Sequence, residues 1–188
     1  MAGLTFRKRK KRINYNIIKE GFVWLAELAL AFFIACLLVV NFGVMTSNVG
    51  QSMEPTLASG DRVLTNRLIY KLTDPKRGDL VVFKPNGNEN SHFYIKRVAA
   101  EPGDTVQIKG GFLYVNEELV TDLPIATITN PGMAEEPLKV ETDCYFVIGD
   151  NPNSREDSRY ADIRNVNRKD IEGKPWFVIS GENKGRLR

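Results

Sequence analysis

The sequence predicts a mainly β protein: a single N-terminal transmembrane helix followed by a compact antiparallel β-sheet domain with a small irregular cap. Three observations predict it. Residues 22–42 form a 21-residue apolar run that only Glu27 and Asn41 interrupt strongly. The 146 residues beyond it break into short apolar segments punctuated by turn residues. No long helical period competes among them.

Seven basic residues, Arg7, Lys8, Arg9, Lys10, Lys11, Arg12 and Lys19, precede the run against Glu20 alone. That asymmetry makes residues 1–21 a cytoplasmic basic tail and puts everything from residue 43 on the far side of a single-pass cell-membrane protein. At about 1.5 Å per residue, the run at 22–42 is long enough to cross a hydrocarbon core. A cleavable signal peptide also pairs basic residues with an apolar stretch. This run is long for one, however, and Asn41-Phe42-Gly43-Val44-Met45-Thr46-Ser47 lacks an Ala-x-Ala pattern, so it is read as an uncleaved signal anchor. Glu27 lies near the cytoplasmic end, where its carboxylate reaches the interface; pairing with another membrane helix is the alternative.

The chain carries 26 Lys and Arg against 23 Asp and Glu. Because the basic surplus is confined to the tail, the remainder is mildly acidic. It offers no electrostatic basis for nucleic acid, and anionic membrane lipid is the simpler partner of the tail. Cys36 in the run and Cys144 in an apolar segment are poorly placed to form a disulfide, and one His with two separated Cys does not supply a zinc site.

After the anchor, strands are expected at 62–64, 79–83, 93–100, 105–108, 112–115, 145–148 and 176–179. Gly110-Gly111 joins two of them as a hairpin, and Asn116-Glu117-Glu118 makes a second tight reversal before Leu119-Val120. Residues 122–141, with three prolines, a glycine and scattered acids, read as an irregular excursion or cap, too short for a domain of its own.

Ser52 lies ten residues past the anchor in Gln51-Ser52-Met53-Glu54-Pro55-Thr56-Leu57. A serine hydroxyl is a poor nucleophile until a base takes its proton. His92 is the one histidine, and no aspartate is marked out to orient it. Lys96, within His92-Phe93-Tyr94-Ile95-Lys96-Arg97-Val98, is the better base if it is dehydrated. An unperturbed lysine is neutral in only about one molecule in a few thousand at pH 7, and burial lowers a lysine pKa by up to roughly 3–5 units. Strand alternation puts Tyr94 and Lys96 on one face and Ile95 and Arg97 on the other, so Lys96 points inward while Arg97 pairs elsewhere. The same residues also read structurally, Lys96 as a strand lysine reaching water and Ser52 as a loop serine ahead of a turn stiffened by Pro55.

Two further segments join these: Arg77-Gly78-Asp79-Leu80-Val81-Val82-Phe83, and the run from Gly149 to Arg159 that opens Gly-Asp-Asn and ends Asp-Ser-Arg. With Ser-Met-x-Pro-Thr at 52–56, and Lys-Arg-Val followed by Pro-Gly-Asp at 96–104, the pattern resembles bacterial type I signal peptidases. Any one box is weak, whereas four in order over essentially the whole chain are specific. The resemblance implies a signal-peptidase-type β domain at 43–188, outside the membrane. It implies a Ser-Lys dyad, Ser52 as nucleophile and Lys96 as general base, that removes signal peptides from exported preproteins without a cofactor. Arg97, Asp150, Asp157, Ser158 and Arg159 become a supporting polar network. The short excursion suits the compact members found in Gram-positive bacteria.

Two departures stand out. Arg155 occupies the position where many members carry a serine that hydrogen-bonds the lysine, so Ser154, one residue earlier, is expected to orient Lys96. Gly50 stands where some members place a Ser or Thr that helps hold the oxyanion, so the hole falls to backbone donors, the Ser52 N–H among them. An extended substrate is expected to add as a strand beside Phe93, Tyr94 and Ile95 and beside 49–52. Val49, Met53, Ile95 and Val98 are candidates for its shallow pockets, with core packing as the alternative for each. Residues 42–49 are expected to dip into lipid. Other functional classes are a catalytically altered, membrane-anchored binding or assembly factor of the same fold, and a self-cleaving regulator. The sequence leaves the oligomeric state open.

Overall fold

The computed structural model of the chain describes residues 15–42, 44–88, 90–181 and 184–187; the basic cluster at 7–12 lies outside them. The chain divides into two units, residues 1–38 and 39–188. Most of α1 (Tyr15–Phe42) belongs to the first. Tyr15, seven residues before the predicted position 22, is already helical, because a nucleated helix propagates into flanking polar residues more readily than apolar counting suggests. Its 25-residue stretch Ile18–Phe42 is long and apolar enough to cross a membrane. Phe22, Trp24, Leu28, Phe32 and Phe33 are all exposed, the pattern of a helix apolar all round.

Among the described residues the second unit contains β1 (Val44–Ser47), β2 (Arg62–Asn66), β3 (Leu80–Phe83), β4 (Tyr94–Ala100), β5 (Thr105–Lys109), β6 (Phe112–Val115), β7 (Glu118–Leu119), β8 (Leu138–Lys139), β9 (Cys144–Ile148), β10 (Val166–Asn167), β11 (Ile171–Ser180) and β12 (Gly185–Arg186), with a short α-helix, α2 (Ile69–Leu72), and three 3-10 turns. The larger sheet runs β1-β2-β11-β3-β4-β9-β10 with β12 beside β11, and the smaller runs β7-β6-β5-β8. The pairings are antiparallel.

Leu80 and Val82 enter one apolar cluster with Met53, Leu57, Val63, Ile95 and Val178. Val81 and Phe83 enter another with Val98, Tyr145, Val147 and Ile171. β3 is thus buried on both faces, which is why its sequence is a continuous apolar run without alternation. The same applies to β4, and it sets the chemistry of the charged pair Lys96-Arg97: a cation inside such a strand must be paired or neutral.

The hairpin across Gly110-Gly111 pairs Lys109 with Phe112. The reversal at Asn116-Glu117 pairs Val115 with Glu118, with positive φ of 52° and 69° at the two turn residues, a type I′ geometry that matches strand twist. Residues 122–141 lie on the smaller sheet and build its core: Ile128, Ala134 and Val140 pack with Val106, Ile108, Leu113 and Val115.

One element is added and one is lengthened. Residues 44–47, not expected as a strand, form β1 in full register with β2 from Val44↔Thr65 to Ser47↔Arg62. Thr46 is buried there against Thr65, while Met45 and Val49 remain exposed. The last long strand is not confined to 176–179 but runs Ile171–Ser180. Pro175 hides the alternation, because it sits at a register shift, where a proline's missing N–H is tolerated.

Candidate active site

Residues 48–58 form a tight loop between β1 and β2. Asn48 holds it from inside, its Nδ2 donating to the carbonyls of Leu57 at 3.3 Å and Ala58 at 2.9 Å. Leu57 N–H donates to Met53 O at 2.8 Å, and both side chains sink into the core. Ser52 is therefore fixed at the rim of that core, 1% exposed. The loop enters through Gly50 at φ +82°, a left-handed conformation glycine adopts without strain. The Ser52 N–H donates to no acceptor among the described residues.

The chain after β9 straps this loop down. Asn151 N–H donates to Ser52 O at 3.0 Å, and Asn151 Nδ2 to Gln51 O at 3.1 Å. A Cβ at Gly149 would stand 2.3 Å from that Ser52 carbonyl. Only glycine lets the strap approach so closely.

Lys96 projects from β4, 1% exposed, and its Nζ lies 2.5 Å from Ser52 Oγ. Burial pulls its pKa down from 10.5 to about 8, with the Glu156 and Asp157 carboxylates pulling the other way and the Arg159 guanidinium reinforcing the drop. Nζ stands over the Tyr94 ring, 5.4 Å from its centroid. The arrangement is a buried alcohol hydrogen-bonded to a buried amine that is easily neutralised.

Two buried ion pairs hold the pocket walls. Arg97 grips Asp150 in a fork, Nε to Oδ1 at 2.7 Å and Nη2 to Oδ2 at 2.6 Å. Thr56 Oγ1 donates to the same carboxylate at 2.5 Å, so Asp150 ties the Ser52 loop to β4. Arg159 pairs likewise with Asp157, Nε to Oδ1 and Nη2 to Oδ2, both at 2.9 Å. Its remaining donors satisfy the carbonyls of Asn130, Pro152 and Ser154. With all three guanidinium nitrogens partnered, such a side chain tolerates full burial.

The expected role of Ser154 is corrected. Its Oγ accepts the Glu156 N–H at 3.4 Å and does not meet Lys96, since the Ser154 N–H bonds back to Asn151 O in a turn that carries the side chain elsewhere. Ser158 is structural as well: its Oγ accepts the Val147 N–H at 2.9 Å and donates to Arg164 O at 2.8 Å. Met53 and Ile95, proposed as substrate contacts, are packed in the core, as is Val98, because apolar side chains at a rim collapse inward. Val49 is 53% exposed, and Phe93 and Tyr94 are partly so. His92 is turned outward, stacked on Tyr94 at 4.5 Å.

Sequence reasoning missed Asn48, Thr56 and above all Glu156, whose Oε2 lies 3.8 Å from Lys96 Nζ. The boxes also carry architecture. Gly78 O accepts from Arg97 Nη1 at 2.8 Å, and Asp104 closes the turn after β4 by accepting the Glu101 N–H at 2.8 Å.

The chain matches the family described as "Signal peptidase, peptidase S26" over residues 22–180. It is 35% identical over 179 residues to Signal peptidase I P of Bacillus subtilis subsp. natto, across 91% of this chain and 93% of that protein. To Signal peptidase I of Bacillus amyloliquefaciens it is 39% identical over 140 residues, 69% of this chain and 72% of that one. To Probable signal peptidase I-2 of Synechocystis sp. it is 42% identical over 113 residues, 58% of this chain and about half, 51%, of that relative.

Proposed function

The chain belongs to the signal peptidases, serine peptidases that remove signal peptides from preproteins, and on that premise we propose that Ser52 is its nucleophile and Lys96 its general base. One observation carries the assignment: the 2.5 Å contact between Lys96 Nζ and Ser52 Oγ inside a pocket that lowers the amine's pKa to about 8. A neutral amine there accepts the hydroxyl proton as Oγ bonds to the scissile carbonyl carbon. The resulting ammonium returns that proton to the leaving nitrogen as the C–N bond breaks, and water then hydrolyses the Ser52 ester by the same route. The unpartnered Ser52 N–H is the donor for the developing oxyanion, with the Gly50 turn aiming the peptide.

Substrate binding follows from the sheet. β9 ends at Ile148 opposite Arg97, so among the described residues no strand pairs with the β9 side of Tyr94–Lys96. A signal peptide in extended form adds there by main-chain hydrogen bonds, with Val49, Phe93 and Tyr94 as the exposed side chains beside it. α1 anchors the domain at the membrane, residues 1–21 stay in the cytoplasm against anionic lipid, and residues 43–188 stand on the outer side.

The test is cleavage of a preprotein by the purified full chain in detergent micelles. Wild type cleaves in trans, while Ser52→Ala and Lys96→Ala bind preprotein but do not turn it over. Activity retained in either variant refutes the dyad, absence of cleavage by wild type points to a binding or assembly factor, and self-cleavage points to a regulator.

A further inference from the structure

The amine of a general base needs more than dehydration: its lone pair must aim at the proton it takes, and the ammonium that forms must have a partner. Among the described residues, the polar side-chain groups against Lys96 Nζ are Ser52 Oγ at 2.5 Å and Glu156 Oε2 at 3.8 Å. Ser154 and Ser158 are both committed elsewhere. The Tyr94 ring flanks the amine, and the Asp157–Arg159 pair beyond it is self-neutralising.

We propose that Glu156 is the positioning residue of the Lys96 amine, its carboxylate at the mouth of the pocket turning the amine toward Ser52 and balancing the ammonium formed when the hydroxyl proton is taken. Three features support it. The backbone of Glu156 is pinned on both sides, by the Ser154 Oγ that accepts its N–H and by the buried Asp157 that follows it. Its side chain is 44% exposed, so the carboxylate keeps contact with water while one oxygen reaches inward. A Cβ at Gly50 would stand 3.7 Å from the same Oε2, so the carboxylate lies over the loop that carries Ser52 as well as over Lys96.

The inference rests on the Ser52–Lys96 reading, and the test separates the two. The rate of preprotein cleavage is followed against pH for the full chain in micelles, comparing wild type, Glu156→Gln and Glu156→Asp. A carboxylate beside an amine favours its protonated form. Its removal therefore shifts the acid limb of kcat/KM to lower pH, by about one unit for a half-exposed charge at this distance. The alkaline plateau falls about tenfold with loss of orientation, and Glu156→Asp returns the limb toward the wild-type position. A limb that stays in place in Glu156→Gln overturns the proposal, whatever happens to the plateau, because a merely structural residue leaves the amine's titration alone. Activity surviving in Lys96→Ala instead overturns the dyad itself.

Discussion

Replacing Lys96 by methionine is expected to stabilise the folded protein at neutral pH while abolishing activity, with a gain that shrinks as pH rises. The thioether keeps the unbranched stem in a site where Lys96 is 1% exposed and removes the charge the site disfavours. Folded, the amine titrates at about 8 rather than 10.5; unfolded, it titrates at the ordinary value. Below pH 8 both states are protonated and the folded state carries the whole penalty of burying the cation, about 3 kcal/mol at 1.36 kcal/mol per unit. Between 8 and 10.5 the unfolded chain holds a proton that the folded chain has released, so wild-type stability rises with pH through that window. Above it the penalty is gone. From pH 7 to 9.5 the wild type therefore gains about 2 kcal/mol on Lys96→Met. Urea unfolding of both proteins in the same micelles, followed by near-UV circular dichroism at several pH values, reads this difference directly. Two stability curves that run parallel over that range would refute the dehydrated amine, and with it the reason a lysine serves as base here.

The remaining predictions concern the frame around the dyad. Asp157→Asn leaves the fully buried Arg159 guanidinium without its counter-charge, and the folded state is expected to lose about 3–5 kcal/mol in the same denaturation assay. Gly149→Ala drives a methyl group onto the Ser52 carbonyl, which stands 2.3 Å from the required Cβ position. Cleavage is expected to fall by at least about a hundredfold through displacement of the nucleophile, measured as kcat with preprotein, even in preparations whose circular dichroism is unchanged. Thr56→Val removes one of three side-chain donors on Asp150, and a loss of about 1–2 kcal/mol is expected, with activity retained in the fraction that remains folded.

What the sequence made legible follows the physics of each element. β3 and β4 are apolar enough to stand out in any window, and the hairpins at Gly110-Gly111 and Asn116-Glu117 are set by local backbone preference. Ser52 and Lys96 were put forward by four boxes in family order, because their own segments read equally well as a loop serine and a strand lysine. β1 was missed because Val44-Met45-Thr46-Ser47 follows the anchor directly and takes its strand identity from β2, a long-range pairing no local signal carries. Glu156 was missed for the opposite reason: in a run with Arg155, Asp157 and Arg159, one more charge carries no mark. The buried charges of that run are told apart from the exposed ones by tertiary packing alone.

The partners that complete the reactive pocket come from distant stretches of chain: Ser52 meets Lys96 across 44 positions, Thr56 meets Asp150 across 94 and Gln51 meets Asn151 across 100. The first hundred residues therefore hold Ser52 and Lys96 but neither Asp150 nor Asn151, so the pocket is complete only when segments far apart in the sequence have met.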